Sequence, residues 1–318
     1  MHCPTLSELP SPPPGRTGWP WTEESPQLPA TMPDPSAALR QSSGQGSGQA
    51  APWPRVSIVT PSYNQGQFIE ETIRSVLLQG YPHLEYVVID GGSSDNTLDV
   101  LRRYQDHLYW VSEPDRGQAD AINKGLRMSQ GEALAYLNSD DTYLPGSIRL
   151  VASYFRAHPD VGMVYGDCQV VDAQGKVLGL MRGHKFNLHR LIHRAEIIPQ
   201  QATFWRREVV EQVGPFDTSL QYSMDYDFFI RVGRASLVVY IPPMLACFRM
   251  HGSSKTVYWE EKHWRETLAV SERYGMKPWT AWYWIRRLRH WGLRALPGPV
   301  QRWVRRRLGR PQDAHLLA

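Results

Sequence analysis

From Arg55 onward, short apolar runs alternate with longer stretches in which apolar residues recur every three or four positions. The first kind reads as buried strands and the second as amphipathic helices, and their alternation is the pattern of βαβ units around a mainly parallel sheet. Val56–Thr60 is the first predicted strand, stopped by Pro61. Phe68, Ile69, Ile73, Val76 and Leu77 mark a helix over Gln67–Gln79 that Gly80 ends. Strands follow at Tyr86–Asp90, Leu108–Ser112 and Ala133–Leu137, with helices at Asp95–Tyr104 and Ala119–Met128 between them. Beyond Asp141 the alternation loosens. Pro145 opens a helix over Ser147–Ala157, Val161–Tyr165 and Gln169–Asp172 read as strands, Arg207–Val213 and Asp225–Val232 as helices, and Leu237–Ile241 as the last strand.

The two ends lack this texture. Residues 1–54 cluster Pro, Ser, Gly and Gln without an apolar period, the composition of a disordered tail. Gly44-Gln45-Gly46-Ser47-Gly48 has the glycines of a dinucleotide loop but no strand before it and no helix after it, so it reads as linker. The predicted division is a tail over 1–54, an α/β domain over 55–255 and a helical basic extension over 256–318. With 42% hydrophobic and 21% charged residues, the 318-residue chain is neither disordered throughout nor a membrane bundle. No apolar run reaches the roughly 18–20 residues of a bilayer span, and none near Met1 resembles a secretory leader. Cys3, Cys168 and Cys247 are scattered without metal-site spacing and suit a reducing compartment, so a cytoplasmic protein is expected. The net charge of +4 is uneven: Trp279–Ala318 holds nine Arg and one Asp, so this segment carries +8 and the remainder −4.

Candidate chemistry lies at the strand ends. The apolar run Leu134-Ala135-Tyr136-Leu137 stops at Asn138-Ser139-Asp140-Asp141, and in open α/β sheets ligands bind beyond the carboxyl ends of such strands. Successive residues of an extended chain point to opposite sides, which favours a division of labour. One carboxylate would take a hard cation such as Mg2+ or Mn2+ and the other a sugar hydroxyl. An Asp-Asp turn or helix cap before Pro145 is the alternative. The first strand ends in Thr60-Pro61-Ser62-Tyr63-Asn64 and the second in Asp90-Gly91-Gly92-Ser93-Ser94-Asp95. Together the three ends would line one cleft suited to a nucleotide and a metal-bridged diphosphate.

These stretches carry a resemblance. Ser57-Ile58-Val59-Thr60-Pro61-Ser62-Tyr63-Asn64, Val88-Ile89-Asp90-Gly91-Gly92-Ser93-Ser94-Asp95-Asn96-Thr97 and Leu137-Asn138-Ser139-Asp140-Asp141 resemble, in order and spacing, the family 2 glycosyltransferases of GT-A fold. Ser112-Glu113-Pro114-Asp115-Arg116-Gly117 and Asn123-Lys124-Gly125 join them, and the likeness covers roughly residues 55–255. The resemblance implies a Rossmann-like sheet flanked by helices and inverting transfer of a sugar from a nucleotide-diphosphate donor to an acceptor hydroxyl, in polysaccharide or glycolipid assembly. It places Pro61, Tyr63, Asn64, Asp90, Gly117, Asn123 and Asp140 at the nucleotide sugar, with Asp90 at the base and Asp140 nearer the ribose. Asp141 and His251 fall to the divalent cation, and Gln200, Gln201 and Trp205 to the acceptor. Asn138 stands where many relatives carry the first carboxylate of an Asp-x-Asp element.

Ser223-Met224-Asp225-Tyr226-Asp227 opens a predicted helix in which Asp227 precedes Arg231 by four residues, the favourable order for an ion pair. Asp225 has no such partner, and at the helix start it is either an N-cap or a general base pointing into a cleft. The resemblance selects the base, with Met224 where relatives carry a Glu. Near the other end, Trp282, Ile285, Leu288 and Trp291, then Val300, Trp303, Val304 and Leu308, recur at helical spacing among arginines. These read as interfacial helices for an anionic membrane, at the inner face for a cytoplasmic protein, or as helices packed on the domain with a solvated arginine face. No nucleic-acid recognition module accompanies the charge. A nucleotidyltransferase would require a basic, glycine-rich loop after the first strand, which Ser62-Tyr63-Asn64-Gln65-Gly66 is not. A catalytically idle carbohydrate-binding or scaffold protein would need neither Asp141 nor Asp225.

Overall fold

The computed structural model describes residues 3–28, 52–194, 198–252, 260–277, 279, 283 and 284. Its centre is a nine-stranded sheet in the order β3-β2-β1-β4-β8-β6-β9-β5, with β7 paired to β6 at the side. The strands are β1 (Val56–Ser62), β2 (Leu84–Asp90), β3 (Tyr109–Ser112), β4 (Ala133–Tyr136), β5 (Thr142–Tyr143), β6 (Val161–Val171), β7 (Val177–Met181), β8 (Thr203–Arg206) and β9 (Leu237–Arg249). The first four are mutually parallel. Beyond β4 the sheet is mixed, since β8 runs antiparallel to both β4 and β6 while β9 is parallel to β6.

The helices are α1 (Ile69–Leu77), α2 (Thr97–Arg103), α3 (Gln118–Met128), α4 (Ser147–Ala157), α5 (Leu188–Arg194), α6 (Arg207–Val213), α7 (Met224–Ala235) and α8 (Glu260–Arg273). Alternation along the strands divides the core into two layers. Ile58, Tyr86 and Val88 pack on one face with Ile73 of α1, Leu101 of α2 and Val151 of α4. Val59, Val87 and Ile89 pack on the other with Ile122, Phe228 and Leu268 of α3, α7 and α8. Gly125 is required by this packing, because a Cβ there would lie 2.3 Å from Val59 Cγ1 and push α3 off β1.

Several elements differ from the sequence expectation. β6 is one strand where two were expected, and β9 continues through Pro242-Pro243. The prolines are tolerated because the pairing slips there: Tyr165 faces Tyr240 while Asp167 faces Met244, which leaves the proline stretch out of the ladder. β5, β7 and α5 escape a periodicity search because they are short.

The largest departure is the proline-rich start. Of residues 1–54, read as disordered, residues 3–28 pack against the domain as a strap. Cys3, Leu9, Trp21 and Leu28 are buried. Arg74 of α1, itself fully buried, donates to the carbonyls of Pro10, Pro20 and Trp21 and to the Tyr104 hydroxyl. Ser25 and Leu28 donate their backbone N–H groups to the carbonyls of Leu78 and Gly80. Gly80 has φ +64°, and a Cβ there would meet the Pro26 carbonyl oxygen at 2.5 Å, so glycine is what lets the strap close in. The strap has too few apolar residues for a core of its own, but it borrows both apolar partners and hydrogen bonds from the domain.

No helix among the described residues is long and apolar enough to cross a membrane. The predicted interfacial segment lies, apart from 279, 283 and 284, outside the described residues.

Candidate active site

The strand register brings the motif residues together. Ser62 of β1 lies beside Asp90 of β2, which lies beside Ser112 of β3, so three carboxyl ends finish in one layer. Beyond them a cleft of about 710 Å³ is lined by Pro61, Ser62, Tyr63, Asn64, Gly91, Asp115, Gly117 and Gln118 on one side. Tyr136, Asn138, Ser139, Asp140, Gln200, Gln201, Tyr222, Asp225 and His263 are among the residues that close it. That volume lies within the range of pockets that enclose ligands of nucleotide-sugar size.

Asp90 organises this layer from within. Its side chain is fully buried and accepts hydrogen bonds from the Gly92 and Ser93 N–H groups and from the Ser93 and Ser112 hydroxyls. The carboxylate thus holds the Gly91-Gly92-Ser93 turn rather than lining the cleft. Glycine is needed at 91, since a Cβ would come within 2.7 Å of Asp115 Oδ2. Asn64, in the left-handed region at φ +52°, accepts from the Ser94 N–H through Oδ1 and fixes the opposite lip. Tyr63 stands 62% exposed between them, an open aromatic face at the mouth. Asn123 takes no part in the lining: its amide is paired in both directions with the backbone of Phe216.

At the end of β4 the two adjacent carboxylates separate. Asp140 lines the cleft, and its Oδ2 is 2.9 Å from His251 Nε2. His251 is held from behind by Phe68, ring centroids 4.4 Å apart. Asp141 turns into the protein and is 1% exposed. Its Oδ1 accepts the Arg249 N–H, its Oδ2 accepts from Asn138 Nδ2, and burial next to Asp140 holds its pKa well above the ordinary carboxylate range. Arg249, buried and paired with Glu71, donates from Nε to the Asp140 carbonyl and so anchors the whole turn. The expectation that Asp141 meets the metal and Asp140 the ribose therefore does not suit this geometry: the carboxylate open to the cleft is Asp140.

Among the described residues no three His, Cys, Asp or Glu side chains converge as an all-protein metal cage. The cleft carboxylate of Asp140 fits a hard divalent cation that completes its shell with substrate phosphate and water, and the imidazole of His251 beside it could add a nitrogen ligand.

On the acceptor side, Gln200 Nε2 donates to the Tyr136 carbonyl and Gln201 supports Asp141, and both line the cleft. Trp205 does not. It is fully buried among Tyr136, Phe216 and Phe228, with ring centroids 5.1–6.2 Å apart, so it belongs to the core and has no face to offer a sugar. Asp225 sits at the start of α7, partly exposed in the cleft, and enclosure there raises its pKa while the neighbouring His263 side chain opposes the rise. Asp227 is spent on Arg231, with Nε 2.8 Å from Oδ2. Sequence reasoning passed over Gln118, Gln221, Tyr222 and His263. Only Gln118 had a signal, its position beside Gly117 in a motif already singled out.

The model of "Glycosyl transferase family 2" matches residues 57–214. A glycosyltransferase of Rickettsia typhi is 28% identical over 217 residues, and the match spans 64% of this chain and 66% of that protein, just under two thirds of its length. A glycosyltransferase of Mycobacterium tuberculosis is 30% identical over 184 residues, spanning 56% of this chain and 68% of its own. Among solved structures, a mannosyltransferase from Pyrobaculum calidifontis in complex with GDP-Man and Mn2+ superposes with a TM-score of 0.54 at 22% identity, covering 76% of this chain and 71% of that one. The sheet flanked by helices on both faces is thus the GT-A fold, and the chain belongs to glycosyl transferase family 2.

Proposed function

We propose that the protein transfers a sugar from a nucleotide-diphosphate donor to an acceptor hydroxyl with inversion at the anomeric carbon. One observation carries the reading: a single cleft presents Asp140 at the end of β4 and Asp225 at the start of α7, with nucleotide-sized space between the strand ends. Tyr63 and Asn64 form the lip for the base and Asp90 shapes the turn beneath it. Asp140 and His251 would hold Mn2+ or Mg2+ together with the donor's phosphates. A divalent cation there supplies neutralisation of the charge that builds on the departing diphosphate, a contribution of several kcal/mol. Asp225 accepts the proton of the attacking hydroxyl, and its raised pKa makes it a stronger base than an exposed carboxylate. Gln200 and Gln201 orient the acceptor, while Asp141 serves the turn that carries Asp140.

The relatives and neighbours support sugar transfer without naming this chain's sugar. The test is release of nucleoside diphosphate from a panel of UDP-, GDP- and dTDP-sugars, with Mn2+ and with chelator. Release from at least one donor, dependent on the metal, is expected. Failure with every donor, together with no nucleotide binding by calorimetry, would remove the reading.

A further inference from the structure

The family match ends at residue 214, yet the cleft does not. Helix α8 lies well beyond that boundary and is stitched to α7 and to the chain that leads into it. Glu266 is the centre of the stitching. Its Oε2 accepts the Gln221 N–H at 3.0 Å, and its Oε1 accepts the N–H groups of Tyr222 and Ser223, each at 2.7 Å. Three successive backbone donors on one carboxylate form a closed clamp on the chain that enters α7 two residues before Asp225. Around it, Thr267 pairs with the Ser223 hydroxyl at 2.7 Å, Ser271 with the Tyr226 hydroxyl at 2.9 Å, and Tyr274 donates to Asp227 Oδ1 at 2.8 Å. His263, three residues before Glu266 and hence on the same helical face, lines the cleft with Asp225.

We propose that α8 is a working wall of the catalytic cleft, in which Glu266 is a positioning residue that sets Asp225 through the backbone of 221–223, and His263 presents its imidazole to the same carboxylate. The inference rests on the assignment of Asp225 as the base. Among the described residues, the charged and titratable groups that act on Asp225 include His263 and Glu266 from α8 and Tyr136 from β4, with Asp140 and Asp115 elsewhere in the same cleft. Of the two on α8, protonated His263 favours the charged form of Asp225 and Glu266 disfavours it. The pair therefore has a signature that scaffolding alone would not produce: neutralising each must move the titration of Asp225 in opposite directions.

The measurement is a titration of the full chain carrying 13Cγ-labelled aspartate, with Asp225 assigned by its absence in Asp225→Asn. His263→Gln is expected to raise the Asp225 midpoint and Glu266→Gln to lower it. Glu266→Gln is also expected to lower kcat for nucleoside diphosphate release with the donor KM unchanged. Because Glu266→Gln loosens the clamp and risks the fold, His263→Gln carries the titration independently. An unmoved midpoint in His263→Gln, or shifts of the same sign in the two variants, would overturn the proposal. If the midpoints move as expected and Asp225→Asn still turns over normally, the base assignment falls instead, and the catalytic meaning of the wall with it.

Discussion

At the scale of single residues, the decisive feature is that neighbours in sequence have unlike surroundings. Asp140 and Asp141 share a dipeptide, yet one faces the cleft and the other is walled in by Asn138, Gln201 and Arg249. Asp140→Ala is expected to abolish metal-dependent turnover with little change in melting temperature. Asp141→Ala should instead cost about 1–3 kcal/mol of stability by orphaning buried donors. Thermal unfolding alongside Mn2+ titration of activity separates the two, and equal melting temperatures would reject the division. For Asp225, a base with a raised pKa must lose its proton before it works, so the rate falls as pH drops through that pKa. The acid limb of kcat is expected above the ordinary carboxylate value of about 4. Asp225→Asn should lower transfer roughly 10²-fold or more while donor affinity holds. Residue types and strand ends were legible in the sequence, as Asp225 and the lip at Tyr63-Asn64 show. Orientation was not, because whether Asp141 or Trp205 turns inward is settled by partners more than 60 residues away, such as Arg249 and Tyr136.

At the scale of elements, the parallel half of the sheet was readable because each strand there is a mostly apolar run that ends at a polar or turn-forming stretch, Pro61-Ser62 for β1, Asp90-Gly91 for β2, Ser112-Glu113-Pro114 for β3 and Asn138-Ser139 for β4. What stayed hidden lacks a local signature. β9 reads as ending at Pro242 until its bulged partner β6 is seen, and the strap has the composition of a tail because much of what holds it, the Arg74 hydrogen bonds above all, is supplied by the domain. Arg74 joins strap to domain. Arg74→Ala would leave the carbonyls of Pro10, Pro20 and Trp21 without their donor, and a loss of about 1–3 kcal/mol is expected from orphaning buried acceptors. Denaturant melts give the stability, and limited proteolysis should cut within residues 3–28 sooner than in the parent. Unchanged cleavage and stability would mean the strap is held by its apolar contacts and its other hydrogen bonds, without need of Arg74.

At the scale of the whole molecule, the arginine-rich segment 279–310 follows α8 and carries the charge asymmetry of the chain. We expect it to attach the protein to anionic lipid, each basic residue near such a surface contributing about 1 kcal/mol. Flotation with phosphatidylserine vesicles should show attachment that high salt weakens and deletion of 279–310 removes. Attachment that survives the deletion, or none by the full chain, would return this segment to a role packed on the domain. The strap has a different consequence, for the order in which the molecule is made. Residues 3–28 are synthesised before the groups that hold them: Arg74 and Leu78, then Tyr143, which accepts from Trp19 Nε1, and Gly146, which donates to Ser25. This earlier stretch must therefore wait, solvated, while its berth is synthesised and folded, and it docks late, onto a surface that is already formed.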